Sequence, residues 1–280
     1  MGRIVQTCRP SALRNESKCI ISKSGGIGEL KTARSAVFNS PPPFIEMIRL
    51  NSNYMLCKKK IRKVERTMPI LDQLSSKQTP RSGDANREAA KLCIHEPGLL
   101  LEIAAGLPSK DPNLAGDCAE VMTMVAEKHP ELVAPYAQSL AVLLDHKKTR
   151  VRWEAMHALA YGADRVPRLI ESLLPRLYEI ISADESVIVR DYAVDALSRY
   201  ASLGSSESQK AYPILKIACS AWEGKHAGHA LAGLKHVALN EAAPMPELSA
   251  LAGQGLADMR GVVKKAGSDL FKAVAKVVGK

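Results

Sequence analysis

The side chains of this 280-residue chain that could carry catalysis or hold a metal are few and scattered. His226 and His229 stand three apart on one predicted helix, His236 lies two turns further on, and Cys219 is close in sequence. Imidazoles at that spacing share a helix face and could begin a transition-metal site. At about 100° per residue, however, His236 points about 80° away from the first ring. No neighbouring carboxylate completes a tight set, so partly solvated helix-face histidines are expected, with no metal and no cofactor. The glycine-rich segment SGGIGE at 24–29 follows no strand pattern and lacks the Lys-Ser/Thr that contacts phosphate and magnesium. No Ser/His/Asp order, catalytic carboxylate pair or Cys-x-x-Cys emerges. The six cysteines (8, 19, 57, 93, 118 and 219) show no paired spacing, and Cys118 and Cys219 fall at apolar positions. They read as core thiols in a reducing compartment, which points to the cytoplasm.

With no catalytic constellation, the informative feature is the set of elements that present a surface. Residues 151–184 contain Val151, Ala155, Ala158, Leu159 and Gly162, the spacing of one helical face, with small residues that admit a close neighbour. After a turn at 163–166, Leu169, Ile170, Leu173, Leu174, Leu177, Ile180 and Ile181 fill an arc of about 140°, and Arg168, Glu171, Ser172 and Glu179 lie opposite. A shift of 38 residues carries Val151, Arg152, Ala155, Ala158 and Leu159 onto identical residues at 189, 190, 193, 196 and 197. The same shift carries Pro175 and Leu177 onto Pro213 and Leu215. A looser match extends backwards to Leu114, Cys118 and Met122 and forwards to His226, Ala230 and Leu234. Two helices recurring at this period define an all-α solenoid in which each hairpin buries its apolar face against its neighbours.

The segments LLDHKKTRVRWEAMHAL (143–159) and IISADESVIVRDYAVDAL (180–197) resemble the HEAT-repeat (armadillo-type) family. The resemblance covers roughly residues 84–260 and implies a right-handed solenoid of about five hairpins. In that family an inter-repeat Asp and a following Val-Arg tie consecutive hairpins together. Asp145 with Arg152, and Asp184 with Arg190, occupy those places. The family's second helices line the concave side, so the resemblance implies a partner surface at Arg168, Glu171 and Glu179, with Lys210 and Lys216 nearby. A protein or peptide held there by a non-catalytic scaffold is the implied function. Relatives with enzymatic activity fit less well. One group of HEAT-type iron-dependent hydroxylases uses repeated His-Glu pairs, and this chain has one, His95-Glu96. Alkylation-repair glycosylases of similar fold need a basic groove with aromatic residues and a carboxylate; they supply the alternative reading, nucleic-acid binding. Trp153 and Trp222 stand on different units, and Trp153 reads as inter-repeat packing rather than a base-stacking platform.

Charge argues against that alternative. Residues 1–67 carry 14 Lys/Arg and four Glu, which accounts for the whole formal charge of +10; the other 213 residues hold 25 basic and 25 acidic side chains. Non-specific affinity for phosphate needs clustered cations, which the repeat region lacks in sum. Residues 1–67 show no sustained period and carry breaker clusters at 24–26 and 39–43, so a disordered basic leader is expected. Three readings of it stay open: translation starting at Met68, a basic arm, or an organelle-targeting peptide.

Residues 68–83 read as a polar lead-in and 84–259 as the solenoid. The stretch 260–280 reads as a capping amphipathic helix, with Val262, Val263, Ala266, Leu270, Val274 and Val277 apolar. Pro135, Pro175 and Pro213 recur at matching places, where each second helix is expected to bend or begin. No apolar run approaches the roughly 20 residues of a membrane span.

Overall fold

A computed structural model describes residues 68–80 and 82–279. The expectations for residues 1–67 lie outside the described residues. In chain order the α-helices are α1 (Gly83–His95), α2 (Leu100–Gly106), α3 (Pro112–Lys128), α4 (Pro130–Val133), α5 (Ala137–Val142) and α6 (Thr149–Gly162). They continue with α7 (Pro167–Ala183), α8 (Val187–Ala201), α9 (Ser205–Gly224), α10 (Ala227–Leu239), α11 (Met245–Ala257) and α12 (Gly261–Val278). No strand occurs among the described residues. No helix among them is long and apolar enough to cross a membrane.

The helix starts follow local chemistry. The Asp111 carboxylate accepts the backbone N–H of Asn113, and Pro112 takes the first helical position, where it forfeits no bond. Ser186 caps α8 through Val189, and Ser82 caps α1 through Asp84. The three recurring prolines behave differently. Pro135 lies in a 3-10 turn (Ala134–Tyr136) that separates α4 from α5, whereas Pro175 and Pro213 sit inside continuous helices. Both are exposed, so the backbone carbonyl each leaves without a donor can be met by water.

Two rows of helices result. In the first row, α1, α3, α6, α8, α10 and α12 each pack on the next. The second row comprises α2, the α4–α5 pair, α7, α9 and α11, and is less tightly stacked. Small residues let the two rows close on each other. At Gly267 in α12, an added Cβ would stand 2.7 Å from the backbone of Gly255 in α11. At Gly233 in α10 it would stand 2.8 Å from Leu215 in α9. Ala155, Ala158, Ala193 and Ala196 are buried at the first-row contacts, while Leu177, Ile180, Ile181 and Leu215 close the core from the second row.

Two regions depart from expectation. The lead-in is docked, because Ile70, which opens a 3-10 segment, and Leu74, the extended residue between that segment and the next, are fully buried. The buried side chains of Asn86 and Asp117 accept the backbone N–H groups of Ser75 and Ser76. In α12, Val262 is 75 % exposed although Val263, Ala266, Leu270 and Val274 are buried.

Candidate binding cleft

Along the first row, an open cleft of about 470 Å³ runs over α3, α6, α8 and the start of α10. Trp153, His157 and Tyr161 recur at every fourth residue of α6, so one helix face supplies three rings. Tyr192 of α8 stacks on His157 with ring centroids 3.6 Å apart and planes 14° from parallel. Met124 and Ile188 add apolar surface, and Ile188 is 41 % exposed.

The cleft is acidic. Glu120, Glu127, Glu154 and Asp191 line it. Glu120 meets Arg150 at 2.6 Å, and Arg150 also pairs with the buried Asp117 at 2.7 Å. Glu154 is only 6 % exposed, and burial, aided by the charge of Glu120, raises its carboxyl to about 7. Burial also holds His157 down to about 4, which keeps it neutral near pH 7, and its Nε2 is buried with no hydrogen-bond partner. Among the described residues neither Glu127 nor Glu154 forms an ion pair with lysine or arginine.

At the α10 end, carboxylates of α8 meet the histidines that the sequence left without partners. His226, fully buried, shares a proton with Asp191 at 2.6 Å through Nδ1 and accepts from Arg190 Nε at 2.8 Å through Nε2. His229 Nδ1 stands 2.7 Å from Asp195, and that bond raises its titration above the ordinary imidazole range. His236 is displaced the other way, by burial and Lys235. No group of three or more His, Cys, Asp or Glu side chains suited to a metal occurs among the described residues.

The residues that the resemblance implied for a partner surface do not line this cleft. Arg168, Glu171, Glu179, Lys210 and Lys216 are exposed on α7 and α9 of the second row. Four of them are engaged within the chain. Glu171 meets Lys210 at 2.7 Å and accepts from the Tyr200 hydroxyl, Glu179 meets Arg176 at 3.0 Å, and Lys216 pairs with Glu247. Arg168 stands exposed in the first turn of α7. The Asp/Arg ladder is also offset from the expected pairs. Arg152 grips Asp184, through Nε at 2.9 Å and Nη2 at 3.2 Å, while Asp145 meets Arg176 at 2.7 Å. Arg190 is buried and donates to the Asp184 backbone oxygen and to His226. Arg152 thus spans to the aspartate in the turn of the following unit, whereas Arg190 bonds the backbone of the aspartate in its own turn and reaches His226 of the next unit.

Arg190 also stacks on the Trp222 ring, 3.8 Å from its centroid. The Trp222 indole N–H donates to the Ile181 carbonyl at 2.8 Å. These contacts hold Trp222 and Glu223 at φ values of 51° and 56°, where the helical path of α9 ends.

No family model and no curated protein sequence matches the chain. Solved structures do match its fold. A designed armadillo repeat protein aligns with a TM-score of 0.57 at 20% identity, over 73% of this chain and 98% of that one. Another, in complex with the peptide (KR)4, aligns with a TM-score of 0.57 at 20% identity over 75% and 100%. A structure of computationally designed armadillo repeat proteins for modular peptide recognition aligns with a TM-score of 0.55 at 19% identity over 73% and 98%. The fold is therefore that of an armadillo/HEAT-type helical-repeat solenoid.

Proposed function

We propose that the chain is a non-catalytic interaction scaffold that holds an extended segment of a partner protein in the first-row cleft. The carrying observation is the cleft itself: one continuous row of rigid helices exposes three rings, aliphatic surface and unpaired carboxyls along a single open face. Solenoids of this architecture offer such extended faces for binding. The designed relatives of the same fold support a peptide as the occupant. No thiol lines the cleft, and its aliphatic hydroxyl, on Thr123, donates to the Glu154 backbone oxygen at 2.9 Å. That commitment supports a scaffold over a nucleophilic enzyme. The acidic lining disfavours the alternative, nucleic acid, because phosphates would meet like charge. The thiols of Cys118 and Cys219, which form no disulfide among the described residues, support a reducing, cytoplasmic setting.

The test is to select peptide ligands of the full chain from a display library and then challenge them with substitutions on each row. Ile188→Trp, which fills the cleft without adding charge, is expected to abolish binding. Glu171→Ala on the second row is expected to leave it unchanged. The opposite result would move the binding face to the second row.

A further inference from the structure

We infer that the cleft seats a cationic side chain of its peptide partner, a lysine ammonium or arginine guanidinium, against the ring wall of Trp153, Tyr161 and Tyr192 with Glu154 and Glu127 as counter-charges. This rests on the reading of the cleft as the binding surface and adds the chemistry of what occupies it.

Three observations converge. The first is a local imbalance of charge. Glu120 already has Arg150 and Asp191 already has His226, but Glu127 and Glu154 have no lysine or arginine partner among the described residues. A buried carboxylate without a counter-ion is costly, and a cation delivered by a ligand removes that cost. The second is the ring wall. Aromatic faces attract cations, arginine above all, and Tyr161 already has the Arg199 guanidinium 5.6 Å from its centroid at one end of the row. The third is the orphaned Nε2 of His157, a neutral ring nitrogen in the cleft wall that can accept an N–H from the incoming group. An acidic peptide or a phosphate chain would place negative charge beside four carboxylates. An apolar side chain would bring no positive charge to Glu154, which has only the Thr123 bond and the more distant charge of Arg150 to favour its ionised form.

Protonation gives the site a signature. The charged and titratable groups facing Glu154 are Glu120 and Glu127 from α3, Arg150, His157 and Tyr161 on its own helix, Asp191, Tyr192 and Asp195 from α8, and His229 from α10. An arriving cation favours the ionised carboxyl, so binding releases a proton near neutral pH. His229 loses its own positive charge as pH rises, which acts in the same direction. Replacing Glu154 separates the two contributions.

The experiment measures fluorescence anisotropy of three labelled probes on the full chain: an alternating Arg-Gly peptide, an alternating Glu-Gly peptide and an oligothymidylate. Expected are binding of the Arg-Gly peptide, blocked by Ile188→Trp, tighter at about pH 8 than at about pH 6, and weakened about tenfold at the higher pH by Glu154→Gln. Arg-Gly and Glu-Gly peptides bound alike, both blocked by Ile188→Trp and indifferent to Glu154→Gln, would overturn the cation seat and leave the cleft as a peptide site. Oligothymidylate bound more tightly than either peptide, and lost in Ile188→Trp, would overturn it in favour of nucleic acid. Arg-Gly binding that Ile188→Trp leaves intact would sink the cleft reading and this inference together. Circular dichroism of each variant establishes that a loss is not unfolding.

Discussion

The two faces of the solenoid handle charge in opposite ways. On the second row, cations and anions meet each other: Lys210 with Glu171 and Lys216 with Glu247 between successive helices, and Arg176 with Asp145 of the preceding turn and Glu179 of its own helix. On the first row the cleft acids outnumber the cations, and one carboxyl, Glu154, is buried among rings. Exposed pairs of the second-row kind contribute little to stability and leave little charge for a partner to use. The first row keeps its charge unspent, at a cost to its own stability, which is the arrangement expected of a surface meant for something else.

Four substitutions can break or sharpen that contrast. The largest effect is expected where both rows share a core: Leu177→Ala, at a fully buried position, should lower stability by about 4 kcal/mol in chemical denaturation. Removing Asp184 comes next. Its side chain is nearly buried, takes two bonds from Arg152 and accepts the backbone N–H of Ser186, so Asp184→Ala should cost about 3 kcal/mol by stranding the guanidinium.

Glu154→Gln should act with the opposite sign and depend on pH. Folding raises the Glu154 carboxyl to about 7, so the folded protein holds a proton there that the unfolded chain has lost. The wild type accordingly loses stability as pH rises from the ordinary carboxylate range through about 7, and the glutamine variant does not. Thermal denaturation should find the variant more stable by on the order of 2–3 kcal/mol at about pH 8 and close to wild type at about pH 5. The smallest effect belongs to the second-row ridge. Lys210→Ala should change stability by no more than about 0.5 kcal/mol and leave peptide binding as it was. A large binding loss there would erase the distinction between the rows.

Much of the architecture was legible because solenoid packing is local. The Val-Arg-x-x-Ala-x-x-Ala-Leu spacing reports a helix face that meets the next copy of itself, and every residue named in it is buried except Arg152, which is partly buried. The docked lead-in was not legible, since Ile70 and Leu74 form too short a pattern to show a period. The cleft was half visible. Trp153, His157 and Tyr161 at every fourth residue are a readable stripe, but it sits on the helix that looked like the buried one because its alanines dominate. The partners of His226 and His229, Asp191 and Asp195, lie 34 to 35 residues away, so no local window contains them.

The sequence by itself determined the helices, their repeat and the side of each that is buried, because periodicity and capping depend on residues within a few turns. It also determined that the basic charge is concentrated in residues 1–67. The tertiary structure decided which row packs more closely, which arginine reaches which aspartate, and which carboxyls form no ion pair with a cation. Those outcomes depend on how far each side chain extends across a helix interface and on how deeply it is removed from water, distances that spacing along the chain does not contain.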